Sequence, residues 1–266
     1  MYYLLNNFLK VFVSMNRFVS FFIHSMKIFN FIIFYLSLTT LYGQNNVLTS
    51  NNSEQASAIL SQVRYAYPKK TLNFKGEIRP RRIGFKMIPV NISFNDQMIR
   101  FEFYKENKSS NDKDEIINLQ FGDDRIKVFR EFENEITQLN DNQLGERIRG
   151  TDIAYDDIAM RFLKWPKPVI LKIEKAKGGM AWKIRCTNPN KNQLYSIVDV
   201  WVSQKSGAIV RMNAYNNKRR IIKSFEVDAV QQIKGDWFLE TMIVRSYPID
   251  AGSKPTSSFL KLEPIK

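Results

Sequence analysis

Two pairs of adjacent carboxylates, Asp123–Asp124 and Asp156–Asp157, are the residues whose type and spacing could support catalysis. Paired carboxylates act as general acid and base only when both face one substrate. Neighbouring residues on a strand or helix point in different directions, which argues against that arrangement. The first pair lies in a turn signal and the second at the start of a predicted helix, and Asp is favoured in both places for local hydrogen bonding. We therefore expect structural roles for both pairs.

Other catalytic chemistry would need histidine or a reactive thiol. The one histidine, His24, lies in an apolar N-terminal stretch, and the one cysteine, Cys186, lies on a predicted strand. A single cysteine allows no internal disulfide, and we expect Cys186 to be a buried packing residue. A chain without histidine beyond the N-terminal stretch lacks catalytic triads and most zinc sites. We predict no catalytic residue, no metal site, no cofactor and no enzymatic activity.

Two short helices are predicted, and a proline follows each of them. One covers residues 155–164, with two carboxylates in its first turn and an apolar stripe that includes Ile158 and Phe162. The other covers residues 53–67, with Ser53 as its N-cap. A single well-bounded helix between runs of strands, such as 155–164, suits a lid or plug on a curved sheet.

The rest of the chain from residue 68 onward has the period-two alternation of β-strands. Glycine-containing turns separate these runs, as at Lys177-Gly178-Gly179 and Ser206-Gly207. Many short strands joined by tight turns predict an antiparallel meander rather than a parallel βαβ sheet. The predicted fold class is mainly β with α, an α+β fold.

An antiparallel sheet of this many strands curls, and its concave face would be apolar. We expect the two helices to cover that hollow without filling it, which would leave a cavity for a hydrophobic ligand. A fully packed core is the alternative and stays open. The predicted cavity residues on the sheet are Ile99, Phe101, Phe103, Leu119, Phe121, Trp182, Ile184, Val198 and Val200. The predicted lid residues are Tyr155, Ile158 and Phe162.

The first 43 residues contain no Asp or Glu and are dominated by apolar side chains. Met26-Lys27, the apolar run 28–41 and Gly43 have the order of a signal peptide, residues 26–43, cleaved near Gly43. Met26 is then the true start and the upstream residues an over-extended gene start. Residues 44–266 would form one domain in the periplasm. An inner-membrane anchor is the alternative, although charged residues interrupt the span.

The sequence has a formal net charge of +14, which favours anionic partners. Two basic groups, 79–82 and 218–220, lie in predicted turns. They could dock on an anionic membrane surface or an acidic partner protein, or they could be ordinary solvated turns. An export signal and the lack of a nucleic-acid-binding module argue against nucleic acid. We expect a monomer.

The run Gly-Thr-Asp-Ile-Ala-Tyr-Asp-Asp-Ile at 150–158 resembles the Gly-Thr-Asp-x-Ser-Tyr-Glu-Asp-Leu signature of outer-membrane lipoprotein-sorting proteins, relatives of the LolA carrier. The segments 162–166, 201–207, 210–215 and 234–237 resemble further family segments in the same order. Ala154 departs from the family, which usually has Ser there. Ser203 replaces a usual Asp in the family's Trp-(Val/Ile)-Asp-x-x-Ser-Gly hairpin.

The resemblance implies a LolA-like curved antiparallel sheet, an incomplete β-barrel closed by short helices. It also implies a cavity for lipoprotein acyl chains or a related lipid, and so a carrier in outer-membrane lipoprotein sorting. An envelope-stress sensor of the same fold, with a lipidated ligand and a membrane partner, is the first alternative. A hydrolase and a structural envelope protein with a packed interior are the others.

Overall fold

The computed structural model describes residues 48–65, 72–95, 98–104, 113–122, 126–190, 193–233, 236–248 and 252–265. The predicted signal peptide, the start at Met26 and the membrane-anchor alternative lie outside these residues, as does the Asp123–Asp124 pair. None of the helices in the described ranges has the length and hydropathy needed to cross a bilayer.

In the described ranges, thirteen antiparallel strands form one sheet, and the antiparallel pairing agrees with the predicted meander. Across the sheet the order is β6-β5-β4-β3-β2-β1-β13-β12-β11-β10-β9-β8-β7, so β6 and β7 are its edges and the barrel is not closed. The strands are β1 Leu72–Pro80, β2 Ile88–Phe94, β3 Met98–Tyr104, β4 Lys113–Phe121, β5 Ile126–Phe132, β6 Glu135–Gln138, β7 Val169–Ala176, β8 Gly179–Thr187, β9 Ile197–Ser203, β10 Ile209–Tyr215, β11 Ile221–Ile233, β12 Asp236–Ser246 and β13 Thr256–Pro264.

The register of the strands assigns the predicted cavity residues to one face of the sheet, which we call the inner face. Ile184 lies opposite Val200 between β8 and β9, and Ile99 lies opposite Leu119 between β3 and β4. Side chains of this face from both halves of the sheet belong to one hydrophobic cluster. The period-two pattern therefore predicts correctly which residues share the core side.

The first helix, α1, spans Leu48–Tyr65 and contributes Ala56, Ile59 and Leu60 to that cluster. It begins five residues before the predicted start, so the prediction of Ser53 as its N-cap is wrong. The amide of Asn52 explains the difference, because it donates to the carbonyl of Ile170 at 3.1 Å and accepts from that residue's N–H at 2.7 Å. This tertiary contact with the edge strand β7 orders residues that read locally as a polar linker.

The predicted helix over 155–164 is interrupted. The helices between β6 and β7 are α2, Asp141–Leu144, and α3, Tyr155–Ala159, each with a 3₁₀ turn nearby, Ile148–Gly150 and Arg161–Lys164. Met160 separates α3 from the second 3₁₀ turn with φ 45° and ψ 40°, a left-handed conformation that ends a helix. The side chain of Arg161 then turns back to the carboxylate of Asp156, which fixes the break.

Strand β9 departs from the predicted division into an apolar and a polar face, because Asp199 and Trp201 on its outer side are also buried. The indole N–H of Trp201 donates to Glu174 at 2.7 Å, and the amine of Lys183 lies 4.7 Å from the ring centroid. Long cationic side chains cover the indole, so this outer position is shielded from water.

Candidate functional site

The connection between the two edge strands, residues 139–168, lies on the inner face; we call it the bridging segment. Tyr155 reaches β4, Asp157 reaches β11 and Asp152 reaches β13. The register assigns the strand partners of all three residues to the inner face. The segment that carries the 150–158 motif therefore covers part of the inner face, as a plug would.

Asp157 has a buried set of donors. Its carboxylate accepts from the amine of Lys223 at 2.6 Å, the hydroxyl of Tyr195 at 2.5 Å and the backbone N–H of Ala154 at 2.6 Å. Burial and the adjacent Asp157 charge raise the pKa of Tyr195 well above its usual value, so the phenol stays protonated and remains a donor. Through the last of these bonds Asp157, the third residue of α3, caps the backbone N–H of Ala154, while Ala154 has no side-chain oxygen with which to cap the helix in return.

Asp152 is held by β13. Its carboxylate accepts from the hydroxyls of Thr256 at 2.5 Å and Ser258 at 2.8 Å, while its own N–H donates to Ser258 at 3.0 Å. The guanidinium of Arg82 lies 3.5 Å away and supplies an opposite charge. The Asp152 side chain is fully buried, and these donors offset the cost of removing it from water.

Two further polar contacts fix α3. The hydroxyl of Tyr155 donates to Glu115 at 2.6 Å, and burial together with that carboxylate raises the pKa of Tyr155. Asp156 accepts from Arg161 Nε at 2.6 Å. Burial raises the pKa of the Asp156 carboxyl, and the hydrogen bonds from Arg161 offset part of that rise.

These contacts show that the carboxylates of the 150–158 motif have structural roles. Asp156 and Asp157 each bond a different cation, Arg161 and Lys223, and so face different partners. Within the described ranges, no three His, Cys, Asp or Glu side chains lie close enough to share a metal ion. Cys186 is buried as predicted, and burial raises the pKa of its thiol to about 12, so it is protonated at neutral pH.

The predicted cavity and lid residues divide into two groups by burial. Four are half-buried at the margin of the core, namely Phe101, Phe121, Trp182 and Ile158. The other eight are fully buried and pack within it, namely Ile99, Phe103, Leu119, Ile184, Val198, Val200, Tyr155 and Phe162. A ligand at this face would therefore reach the first group before the second.

Half-buried apolar side chains collect at one end of the inner face, which we call the apolar end: Leu72, Phe94, Phe121, Trp182 and Phe238. Neighbouring strands are antiparallel, so the starts of β1, β8 and β12 lie at the same end of the sheet as the last residues of β2 and β4. The rings of Phe94 and Phe238 each lie 5.7 Å from that of Phe74. The strand residues that bind Asp152 and Asp157 lie toward the opposite strand ends.

The sequence analysis did not identify the strand residues that bind the bridging segment. For two of these residues, Lys223 and Glu115, the sequence nevertheless contains an indication. Lys223 is in phase with Phe225 on β11, and Glu115 is in phase with Ile117 on β4, so each places a charge at an apolar position of the alternation. A charge on the core side of a strand requires a buried partner. The identity of that partner depends on the tertiary fold.

The chain matches the model of a family described as "Uncharacterized protein" over residues 109–264, more than half of its length, and it belongs to that family. No curated protein matches the chain.

The fold is similar to that of three solved structures. One is an outer membrane lipoprotein-sorting protein domain from Vibrio parahaemolyticus, with TM-score 0.66 and 13% identity over 80% of this chain and 93% of that one. A DUF1329 family protein from Desulfovibrio piger has TM-score 0.65 and 11% identity over 80% and 91%. A LolA superfamily protein from Nitrosomonas europaea has TM-score 0.58 and 14% identity over 80% and 91%. These structures confirm the LolA-like architecture that the motifs imply.

Proposed function

We propose that this protein is a periplasmic carrier that binds lipoprotein acyl chains, or those of a related lipid, at the apolar end of the inner face. The observation that supports it is the cluster of half-buried aromatic and aliphatic side chains there. These side chains lie on the inner face of the sheet, away from the buried charges that hold the bridging segment. Hydrophobic ligand sites are lined mainly by apolar and aromatic side chains.

The energetics suit a carrier. Burial of one methylene group of the ligand contributes roughly 0.8 kcal/mol to the binding free energy, so even part of an acyl chain binds usefully. If the rest of the chain stays exposed to solvent, binding is weak enough for release. The ligand would replace contacts that the half-buried residues now make with the core. The buried residues beneath them, such as Ile99 and Leu119, would form the floor of the site.

Helix α1 is the element we assign as the movable cover. Its apolar face packs into the core cluster through Ala56, Ile59 and Leu60, and apolar packing is non-directional. The bridging segment is instead held by buried ion pairs and hydrogen bonds of fixed geometry. Displacement of α1 would uncover part of the inner-face cluster without breaking a buried charge pair of the bridging segment.

Two tryptophans on opposite faces of adjacent strands provide a test. Trp182 lies on the inner face of β8, and Trp201 lies on the outer face of β9. With 5-fluorotryptophan incorporated, titration of the protein with palmitate or a synthetic diacylated peptide should shift the ¹⁹F resonance of Trp182 and leave that of Trp201 in place. Single Trp→Phe variants assign the signals. A shift of Trp201 alone, or of neither signal at saturating lipid, would refute binding at the inner face.

A further inference from the structure

The connection between β1 and β2, residues 81–87, places exposed apolar side chains beside cations; we call it the basic loop. Ile83 at its tip is fully exposed, and Phe85 is 45% exposed. Gly84 between them has φ +81°, a conformation that glycine adopts at little cost and that permits the tight reversal of the loop. Isolated exposed hydrophobic residues are common on proteins, but here two of them lie within a basic segment.

A pocket of about 330 Å³ opens beside the basic loop, a size that suits a small ligand group. Its walls combine apolar surface with two cations. The residues that define it chemically are Phe85, Met87, Ile88, Tyr104, Lys86 and Arg149. A pocket with this lining suits a ligand that is apolar on one side and anionic on the other.

One wall of the pocket is fixed by contact between the loop and the bridging segment. The guanidinium of Arg82 donates to the carbonyl of Gly150 at 3.0 Å and lies 4.7 Å from the ring centroid of Phe85. A side chain at Gly150 would come within 3.2 Å of the Phe85 ring. The loop and the start of the motif therefore fit closely against each other.

The opposite wall holds Arg149 in a left-handed conformation, φ 49° and ψ 35°, that residues other than glycine rarely adopt. An ion pair with Asp114 and a hydrogen bond of 3.0 Å to the carbonyl of Tyr104 hold it there. Backbone strain of this kind persists where the surroundings fix it, and it clusters at functional sites. The cationic side chain is thus positioned before any ligand arrives.

Cations cluster around the basic loop. The bridging segment and the loop together contribute five: Arg81, Arg82, Lys86, Arg147 and Arg149. Arg82 and Arg147 contact the carboxylate of Asp152, and Arg149 contacts that of Asp114. A cluster of cations next to exposed apolar side chains complements an anionic membrane surface, where phosphates lie above acyl chains.

We propose that the basic loop docks the protein on an anionic phospholipid membrane. Ile83 and Phe85 enter the boundary between headgroups and acyl chains, and a headgroup phosphate lies in the pocket near Lys86 and Arg149. This site is separate from the apolar end. It goes beyond the proposed cargo binding and does not depend on it.

Co-sedimentation with vesicles tests this site, with one apolar and one charged pair of matched variants. Wild-type protein should bind phosphatidylglycerol–phosphatidylcholine vesicles and not pure phosphatidylcholine vesicles. Ile83→Ser should weaken partitioning roughly ten-fold, because an inserted side chain is lost. Ile136→Ser, at an exposed isoleucine on the edge strand β6, should leave partitioning unchanged. All the proteins compared begin at the same residue, so the N-terminal stretch contributes equally to both members of each pair.

The charged pair separates a specific site from general attraction by a basic protein. Lys86→Gln should weaken partitioning about five-fold, the effect expected of one cation near an anionic surface. Lys218→Gln, at an exposed lysine in the other basic turn, should have a clearly smaller effect. Equal losses in both members of each pair, or binding to neutral vesicles as strong as to anionic ones, would overturn the proposal. Unchanged thermal midpoints would show that the variants are folded.

Discussion

The two ends of the inner face are built on different interactions. Near one end Asp152 and Asp157 of the bridging segment are buried and bonded to the strand residues Ser258 and Lys223. At the apolar end the contacts are between half-buried hydrocarbon side chains. Buried ion pairs fix geometry, and removing one partner costs on the order of 3–5 kcal/mol. Apolar contacts are non-directional and can be exchanged for contacts with a ligand. One sheet can therefore combine a fixed closure with an exchangeable surface.

The largest expected effect is a loss of stability when the buried ion pair between the bridging segment and β11 is broken. Lys223→Met leaves the Asp157 carboxylate buried without its cation and should reduce the free energy of unfolding by about 3–5 kcal/mol. Urea unfolding measures it. The double variant Lys223→Met/Asp157→Asn removes the stranded charge, keeps a side-chain amide beside Tyr195 and Ala154, and should recover a good part of the loss. A loss below about 1 kcal/mol in the single variant would contradict a structural role for this pair.

The next largest effect is expected on lipid binding at the apolar end. Phe121→Asp introduces a charge at a half-buried position of the apolar end and should abolish binding of a fluorescent fatty acid. The matched control is Phe129→Asp, because Phe129 is also half-buried but lies on the outer face of β5, opposite Asn118. If folded Phe121→Asp bound lipid as well as the control does, Phe121 would not line the site.

A smaller effect sharpens the role of α1. Asn52→Ala removes both hydrogen bonds between α1 and the edge strand β7, at a cost of about 1–2 kcal/mol in stability. If α1 covers the apolar end, the same change should raise the rate of lipid uptake in stopped-flow fluorescence. Ser53→Ala on the same helix serves as the control. Slower uptake in Asn52→Ala would argue that α1 is part of the binding surface rather than its cover.

The smallest effect is a pH dependence on the outer face, away from both ends. Burial alone would raise the pKa of Asp199, but hydrogen bonds from Arg185 and Lys183 outweigh it and hold the pKa below its usual value. A depressed carboxyl pKa contributes stability above the ordinary Asp pKa of about 3.9, and that contribution is lost as pH falls through the folded-state value. Urea midpoints at pH 7 and pH 3 should therefore differ less in Asp199→Asn than in wild type. An equal difference in both proteins would show that Asp199 does not titrate in this way.

Much of the fold could be predicted from the sequence, because hydrophobic periodicity reports which side of a strand is buried. The alternation places Val198, Val200 and Ile184 on one face, and the register agrees. Helix boundaries were predicted less well. The early start of α1 depends on a bond from Asn52 to a strand 118 residues away, and the break at Met160 depends on the contact of Arg161 with Asp156. The first contact is far from local in the sequence, and the second joins residues five apart, which is not the three- or four-residue spacing of side-chain pairs on a continuous helix.

The site was predicted only in part for the same reason. The predicted residues do share the inner face, but their depth of burial depends on how α1 and the bridging segment pack over them. Tyr155 and Phe162, expected on a lid, are fully buried in the core. Two of the three donors to Asp157, Tyr195 and Lys223, lie far from it in the chain, so spacing could not reveal them. The charged in-phase positions Lys223 and Glu115 indicate that partners exist, but not which ones.

Native mass spectrometry tests the central claim most directly. Protein purified gently from its own cell envelope should carry an adduct whose lipid, after extraction, contains an acyl chain. The Phe121→Asp variant, prepared in the same way, should lack that adduct. Wild-type protein without any adduct, or an equal adduct on both proteins, would contradict the claim that the apolar end holds an acyl chain.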